Sequence, residues 1–368
     1  MRGSIRRRGK ASWEIQIELY RIGGKRRRRF VTVRGSYKDA QKELTRLLRA
    51  ADTDSLPSDP VQMTVGQYLN ARLGSATDLS PKTLERYREL AVHQIIPHLG
   101  EMRLQKLCPE HIEQWHAALL ATGLSARTIG HAHLVLSGAL KRAVENGTLA
   151  RNAAVLRKPP KVEEREIEIL TADQVSEVMV ALEGHALHPI VALALATGMR
   201  RGELLALQWG DLDLKSAALR VERSVEETKS GLRIKPPKTR RGRRNISLPP
   251  EAVTMLRVHK VQQMELRLAL GQGGQPSLVF STIEGEMLSP DNLSRDWRRV
   301  CAARNLPKVS FHALRHTHAS TLIRAGVDIL TVGRRLGHSR ASTTLDKYGH
   351  LVEGADAAAA KAIEGLLK

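Results

Sequence analysis

Between Ser12 and Val33 apolar and polar positions alternate: Trp13, Ile15, Ile17 and Leu19 share one face, and Phe30, Val31 and Val33 follow after Gly23 and Gly24. A period of two is that of a half-buried strand, and paired glycines supply the positive φ of a hairpin loop, so the pattern predicts strands joined by a turn. The Arg-rich second strand carries its charge outward. From Lys38 to Ala50 the spacing becomes helical, which predicts residues 1–52 as a small β-sheet packed by one helix. Asp52 to Pro60, with two prolines among Asp and Ser, reads as a linker.

Residues 64–155 read as all-helical. Ser80 and Pro81 supply an N-cap and a first-turn proline for a helix reaching Ile95, and Ser125 starts another. Along the latter, Ile129, Ala132, Leu136, Ala139, Leu140 and Ala143 recur at three- and four-residue steps, one apolar stripe that Gly147 ends. Pro159, Pro160 and the charged stretch Lys161 to Glu168 predict a second linker. The remaining segment opens with Thr171 and Gln174 at capping-box spacing. Helices dominate it, except from Ala217 to Leu248, where β-branched and alternating residues around Gly231 and Gly242 predict a three-stranded sheet. The expected fold class is mainly α with small β-sheets (α+β), and 368 residues allow two or three domains.

Charge changes this picture more than any other bulk property. The net is +21, and residues 1–50 hold 16 Lys or Arg against 4 Asp or Glu, which is +12 of it. A second basic run, Lys235 to Arg244, has six Lys or Arg in ten residues. Such a field attracts polyanions, and nucleic acid is the expected partner. No membrane partner is expected, since no basic amphipathic helix carries aromatic anchors and no run of eighteen apolar residues occurs. The N-terminus lacks the apolar stretch of a secretory signal, which predicts a cytoplasmic, DNA-associated protein. Cys108 and Cys301 stand alone, outside any CxxC spacing, and predict neither disulfides nor a zinc finger.

Three segments carry candidate chemistry. In Thr197-Gly198-Met199-Arg200-Arg201-Gly202-Glu203 a helix breaks at Gly198 and restarts, leaving Arg200 at the turn, either aimed inward or as a solvated loop charge. In His312-Ala313-Leu314-Arg315-His316, His312 and Arg315 lie three apart, on one helical face, as a phosphate clamp would require. His312 and His316 also have zinc-like spacing, but the acidic residue of HExxH and a third ligand nearby are missing, so no metal is expected. In Leu336-Gly337-His338-Ser339-Arg340-Ala341-Ser342-Thr343-Thr344-Leu345-Asp346-Lys347-Tyr348-Gly349-His350, a histidine and a tyrosine stand ten apart across a short helix.

Taken in order, TGMRRGE, HALRH and LGHSRASTTLDKYGH resemble the active-site blocks of the tyrosine recombinases, the superfamily that includes the lambda-type phage integrases. The resemblance implies Arg200 as the first catalytic arginine, His312 and Arg315 as the middle pair, His338 as the next histidine and Tyr348 as the nucleophile. It also implies a lysine on a β-turn. Pro237-Lys238-Thr239 resembles that turn, which favours Lys238 over Lys235. Glu203 matches the family's acidic position and is expected to orient its neighbours. The other tyrosines, at 20, 37, 68 and 87, lie outside the expected catalytic segment.

The chemistry fits those residue types. A phosphodiester repels an anionic nucleophile, so attack needs cations where charge grows, and guanidinium offers parallel donors that lysine cannot reproduce. His312 is the candidate to accept the phenol proton and His338 to donate to phosphate, although the sequence does not separate their roles. Lys238 would protonate the departing 5′ oxygen. A 3′-phosphotyrosyl link conserves the energy of the diester, and no phosphate loop of the GxxxxGK[ST] type occurs, so neither ATP nor another cofactor is expected.

By the same resemblance, residues 1–52 are an arm-type DNA-binding domain, 61–157 a helical core-binding, SAM-like domain that clamps duplex DNA together with the next, and 165–368 the catalytic domain. Candidate DNA-contacting side chains are Arg26, Arg27, Arg28 and Arg29, and Arg240, Arg241 and Arg243. The implied function is site-specific recombination, integrating and excising a phage or mobile element. Partners would be double-stranded attachment sites and a homotetramer on synapsed DNA, with an excision factor and a host DNA-bending protein left open. The helix-prone run Ala355 to Leu367 would dock on a neighbouring protomer or fold back on its own domain. A chromosome-resolving recombinase, a type IB topoisomerase and a non-catalytic DNA-binding regulator of the same fold are the competing readings.

Overall fold

The computed structural model describes residues 3–22, 25–52, 63–163, 167–237 and 240–349. The chain divides into two units, Met1–Glu163 and Glu164–Lys368.

In the first unit, β1 (Gly3–Gly9), β2 (Ser12–Ile22) and β3 (Lys25–Arg34) form an antiparallel sheet in that order, with Ile5 opposite Ile15 and Ile15 opposite Val31. The alternation predicted β2 and β3 but not β1, whose sequence GSIRRRG holds one apolar residue. It is an edge strand, exposed except at Ile5. Helix α1 (Tyr37–Asp52) lies against this sheet, burying Leu47 with Ile15 and Ile17, while Phe30, on the opposite parity from Val31, stays exposed.

The same unit contains α2 (Val65–Gly74), α3 (Pro81–Leu90), α4 (Ile96–Leu99), α5 (Pro109–Ala121) and α6 (Ala126–Glu145). Leu69, Ile95, Ile112, Trp115, Ile129, Leu136 and Leu140 make their shared core, and the predicted apolar stripe of α6 is its buried face. Ser125 caps α6 by accepting from the Thr128 amide. The helix predicted to reach Ile95 runs on to Leu99 through a widened π-turn, Ala91–Ile95. Pro97 has no N–H to donate, and the extra residue of a π-turn absorbs such a break. Ser80 makes no side-chain bond to the backbone of α3; its hydroxyl pairs with that of Thr83.

The second unit begins with α7 (Ala172–Ala181), capped by Thr171 and Gln174 as predicted, then α8 (His188–Thr197) and α9 (Arg201–Leu205). Strands follow: β4 (Leu212–Asp213), β5 (Ala218–Val221), β6 (Ser224–Thr228), β7 (Gly231–Lys235) and β8 (Arg244–Ser247). The predicted three-stranded sheet exists, but as β4-β5-β8, while β6 and β7 pair as a separate hairpin. Two-residue β4 is too short to show any alternation. The chain closes with α10 (Pro250–Ala269), α11 (Pro290–Ala303), α12 (Ala313–Arg324), α13 (Ile329–Leu336) and α14 (Ser342–Tyr348). A core built on Leu193, Leu204, Val221, Ile246, Leu256, Trp297 and Leu314 holds α8, α9, the strands and the start of α12 together. A smaller one, Ala319, Ile323, Val332, Leu336 and Tyr348, packs α12, α13 and α14.

Candidate active site

Helix α8 stops where Gly198 takes a left-handed φ of +64°, and an added Cβ there would lie 2.5 Å from the His318 ring. Glycine makes this close turn possible. Two residues on, Arg200 caps α9. Its amide donates to Glu203 Oε2 (3.0 Å), and its guanidinium donates to Glu203 Oε1 (2.8 Å) and to the Gly337 carbonyl (3.2 Å). The Arg200 side chain is 41% exposed against 3% for Glu203, so the carboxylate anchors the arginine from beneath.

Glu203 also receives Arg244, at 2.9 and 3.3 Å, and Arg244 donates onward to the Arg335 carbonyl (2.6 Å). Burial pushes the Glu203 carboxyl up, but Arg244 and Arg200 outweigh it and hold the group below the usual carboxylate range. The site therefore rests on a buried anion shared by two cations, a pairing that offsets the desolvation each charge would suffer alone.

Arg315, on the first turn of α12, is buried and donates to the Gly198 carbonyl and the Leu336 carbonyl, both at 2.7 Å. Arg200 and Arg315 thus bond to the consecutive carbonyls of Leu336 and Gly337, although they arise 115 positions apart in the sequence. Burial and then Arg200 lower the Arg315 pKa to about 9, which leaves it charged at neutral pH. Behind the pair, His318 Nδ1 meets the Leu195 carbonyl (2.7 Å) and its Nε2 accepts from Arg335 (3.1 Å), which also donates to Ala196 and Ser247. This clamp fixes the end of α8 against α12 and α13.

His338 follows the Gly337 turn, where φ is +69°. Its Nδ1 lies 2.8 Å from Thr344 Oγ1 on α14. If the hydroxyl donates there, the ring proton resides on Nε2. Burial, with Arg315 and Arg200 nearby, lowers the His338 pKa to about 3, so the ring is neutral. Gly333 lets α14 approach, since a Cβ there would lie 2.8 Å from Thr344 Oγ1.

Tyr348 ends α14 and is 1% exposed. Its hydroxyl lies 2.6 Å from His316 Nδ1. Burial pushes the phenol up to about 12, against the opposing pull of Arg315. His316 meets His312 edge-on, with ring centroids 4.8 Å apart. His312, at the N-cap of α12, is lowered to about 4 by burial and by Arg315, Lys347 and Arg200.

Arg200, His312, Arg315, His338 and Tyr348 are therefore neighbours in one cluster, as their mutual electrostatic effects also indicate. Lys238 lies outside the described residues. Its alternative, Lys235, pairs with Glu226 on the β6-β7 hairpin. The side chains of Arg26, Arg27, Arg29 and Arg240 also lie outside the described residues. Arg28 is exposed and 3.6 Å from Glu18; Arg241 donates to the Ser339 carbonyl (2.9 Å) beside His338; Arg243 lies 3.6 Å from Glu222.

Sequence reasoning missed His316, Arg244, Arg335 and Thr344. His316 carried a signal, being one turn beyond His312 on the same face. Arg244 carried another: it shares the parity of buried Ile246 on β8, so it points inward. Nothing local marked Arg335 or Thr344, whose roles arise from tertiary partners.

Comparison with known proteins gives the cluster a setting. Residues 168–354 match the Phage integrase family, and residues 74–120 match the N-terminal SAM-like domain of phage integrases. An integrase from Streptomyces ambofaciens is 31% identical over 356 residues, covering 92% of this chain and 90% of that protein. The fold resembles that of the Tn1549 transposon integrase in complex with transposon right end DNA (TM-score 0.72, 22% identity, 83% of this chain and 100% of that one). It also resembles a lambda integrase tetramer bound to a Holliday junction (TM-score 0.58, 21% identity, 92% and 96%).

Proposed function

The chain belongs to the phage integrase family of tyrosine recombinases, and from that premise we propose how it acts as a site-specific recombinase that integrates and excises a mobile element. Tyr348 Oη attacks a scissile phosphate held by Arg200 and Arg315. The Oη–P bond forms, the P–O5′ bond breaks, and a 3′-phosphotyrosine remains until a 5′ hydroxyl from the partner strand reverses the step. The single observation that carries this reading is the meeting of Arg200 and Arg315 on adjacent carbonyls, one residue before His338 and in the cluster that holds Tyr348.

The two guanidiniums oppose the charge that grows on the non-bridging oxygens, where fixed donors in a shielded site act most strongly. His312 and His338 are neutral imidazoles able to donate to those oxygens. Lys238 is the proposed acid for O5′, a choice supported by the commitment of Lys235 to Glu226. Exchange of one diester for another needs no ATP, and we expect the reaction to run without added metal.

We further propose residues 1–52 as an arm-type DNA-binding domain, with Arg26, Arg27, Arg28 and Arg29 as candidate DNA contacts, 61–157 as the core-binding domain and 165–368 as the catalytic domain. Arg240, Arg241 and Arg243 would contact DNA near the site. The proposed assembly is a tetramer on two attachment sites, with an excision factor and a DNA-bending protein as candidate helpers in a bacterial cytoplasm. Among the described residues no helix is long and apolar enough to cross a membrane.

The test is a recombination assay on two DNA molecules carrying attachment sites. The expected result is joined recombinants in buffer with a chelator and no ATP. Relaxation of supercoils without exchange would indicate topoisomerase behaviour, and binding without strand cleavage would indicate a regulator.

A further inference from the structure

We propose that His316 is the catalytic residue that removes the proton from Tyr348 as its oxygen attacks the phosphate. The inference rests on the recombinase reading above and assigns a step that reading leaves open. Among the described residues, the hydrogen-bond partner of Tyr348 Oη is His316 Nδ1, at 2.6 Å. His312, the residue the sequence favoured for this task, instead packs its ring edge-on against His316.

Geometry precedes basicity in choosing a general base, because the proton must lie within hydrogen-bond reach of the group that takes it. His316 meets that condition before DNA arrives. It is also the residue after Arg315 on α12, so one rigid turn carries both a phosphate-binding guanidinium and the base, and the hydrophobic packing of Tyr348 on α12 and α13 keeps the phenol against it. A neutral ring protonated on Nε2 presents the Nδ1 lone pair to the phenol.

In the absence of DNA the transfer is uphill. Burial, His312, Lys347 and Arg315 lower the proton affinity of His316, and burial raises that of Tyr348. A phosphate seated on Arg200 and Arg315 offsets the cations that oppose protonation of His316. Arrival of the substrate thus raises the basicity of the ring, and the nucleophile stays protonated until a phosphate is present. In the step itself the Oη–H bond breaks and Nδ1–H forms, leaving an imidazolium. The Oη–P bond forms as P–O5′ breaks, and the 5′ oxygen takes its proton from a separate acid. Rejoining returns the imidazolium proton to the departing phenolate.

Single-turnover cleavage of a nicked attachment-site duplex tests this with the full-length chain. His316→Ala is expected to bind DNA as the unaltered protein does and to form the covalent adduct about 10²–10⁴-fold more slowly. Added imidazole is expected to restore part of that rate. A duplex with sulfur in place of the bridging 5′ oxygen, whose leaving group needs no acid, is expected not to restore it. His316→Gln, which keeps a polar group but no base, should be equally slow. Cleavage at the unaltered rate or faster would overturn the proposal, since His316 would then only pack against or restrain the phenol. Failure of imidazole to restore any rate, or full rescue by the sulfur substrate, would overturn it too. An adduct formed by Tyr348→Phe would instead refute the underlying recombinase assignment, so the two failures are distinguishable.

Discussion

Arg200 stands at the N-cap of α9, where its amide donates to Glu203, while its side chain pairs with the same buried carboxylate and remains partly open to a ligand. A lysine can keep the charge but not the planar fork, so Arg200→Lys is expected to slow cleavage by about 10²–10³-fold in single-turnover assays, with DNA binding much less affected. The buried histidines make a second prediction at this scale. His312, His316 and His318 are lowered to about 4 and His338 to about 3, mainly by burial, from an ordinary value of 6.5. Below pH 6.5 the unfolded chain binds protons that the folded chain does not bind until about pH 4, so stability is lost as pH falls through that window. Thermal melts should show Tm falling from pH 6.5 to 4; a flat or rising Tm would contradict it. Arg200, His312, Arg315, His338 and Tyr348 were legible because they stand in three short segments with recognisable order, whereas the role proposed for His316 was not, since it shows only in the contact with Tyr348 that the fold creates. Their supports were not, because Thr344 and Arg335 acquire roles only from partners brought near by the fold.

At the scale of elements, the α13-α14 connection decides whether the site is assembled. The left-handed Gly337 turn offers its carbonyl to Arg200, His338 follows it, and Thr344 ties that histidine to the helix bearing Tyr348. Thr344→Val keeps the volume and removes the hydroxyl. The expected outcome is a cleavage rate lower by up to about 10²-fold, from a misplaced imidazole, with a change in stability of only about 1 kcal/mol; urea unfolding and cleavage kinetics check both parts. Elements with strong periodicity or caps, such as α6 and α7, were legible in the sequence. Exposed β1 and two-residue β4 were not, since neither buries enough to impose a pattern, and the π-turn ahead of Pro97 could be anticipated only as an end to the helix.

For the whole molecule, the +21 charge predicts DNA affinity that falls steeply with salt. With six to ten phosphate contacts the loss would be about 10³–10⁵-fold between about 50 and 200 mM salt, measured by equilibrium binding; a weak dependence would argue against backbone contacts as the main source of affinity. The basic excess was visible in composition, whereas the groove each arginine enters depends on side-chain placement that composition does not encode. The most direct measurement of the central claim is mass spectrometry of the protein–DNA adduct trapped on a nicked attachment-site duplex in the presence of a chelator. A 3′-phosphate linked to Tyr348, absent from Tyr348→Phe, is the predicted result. An adduct on another residue, or strand cleavage with no covalent protein intermediate, would contradict it.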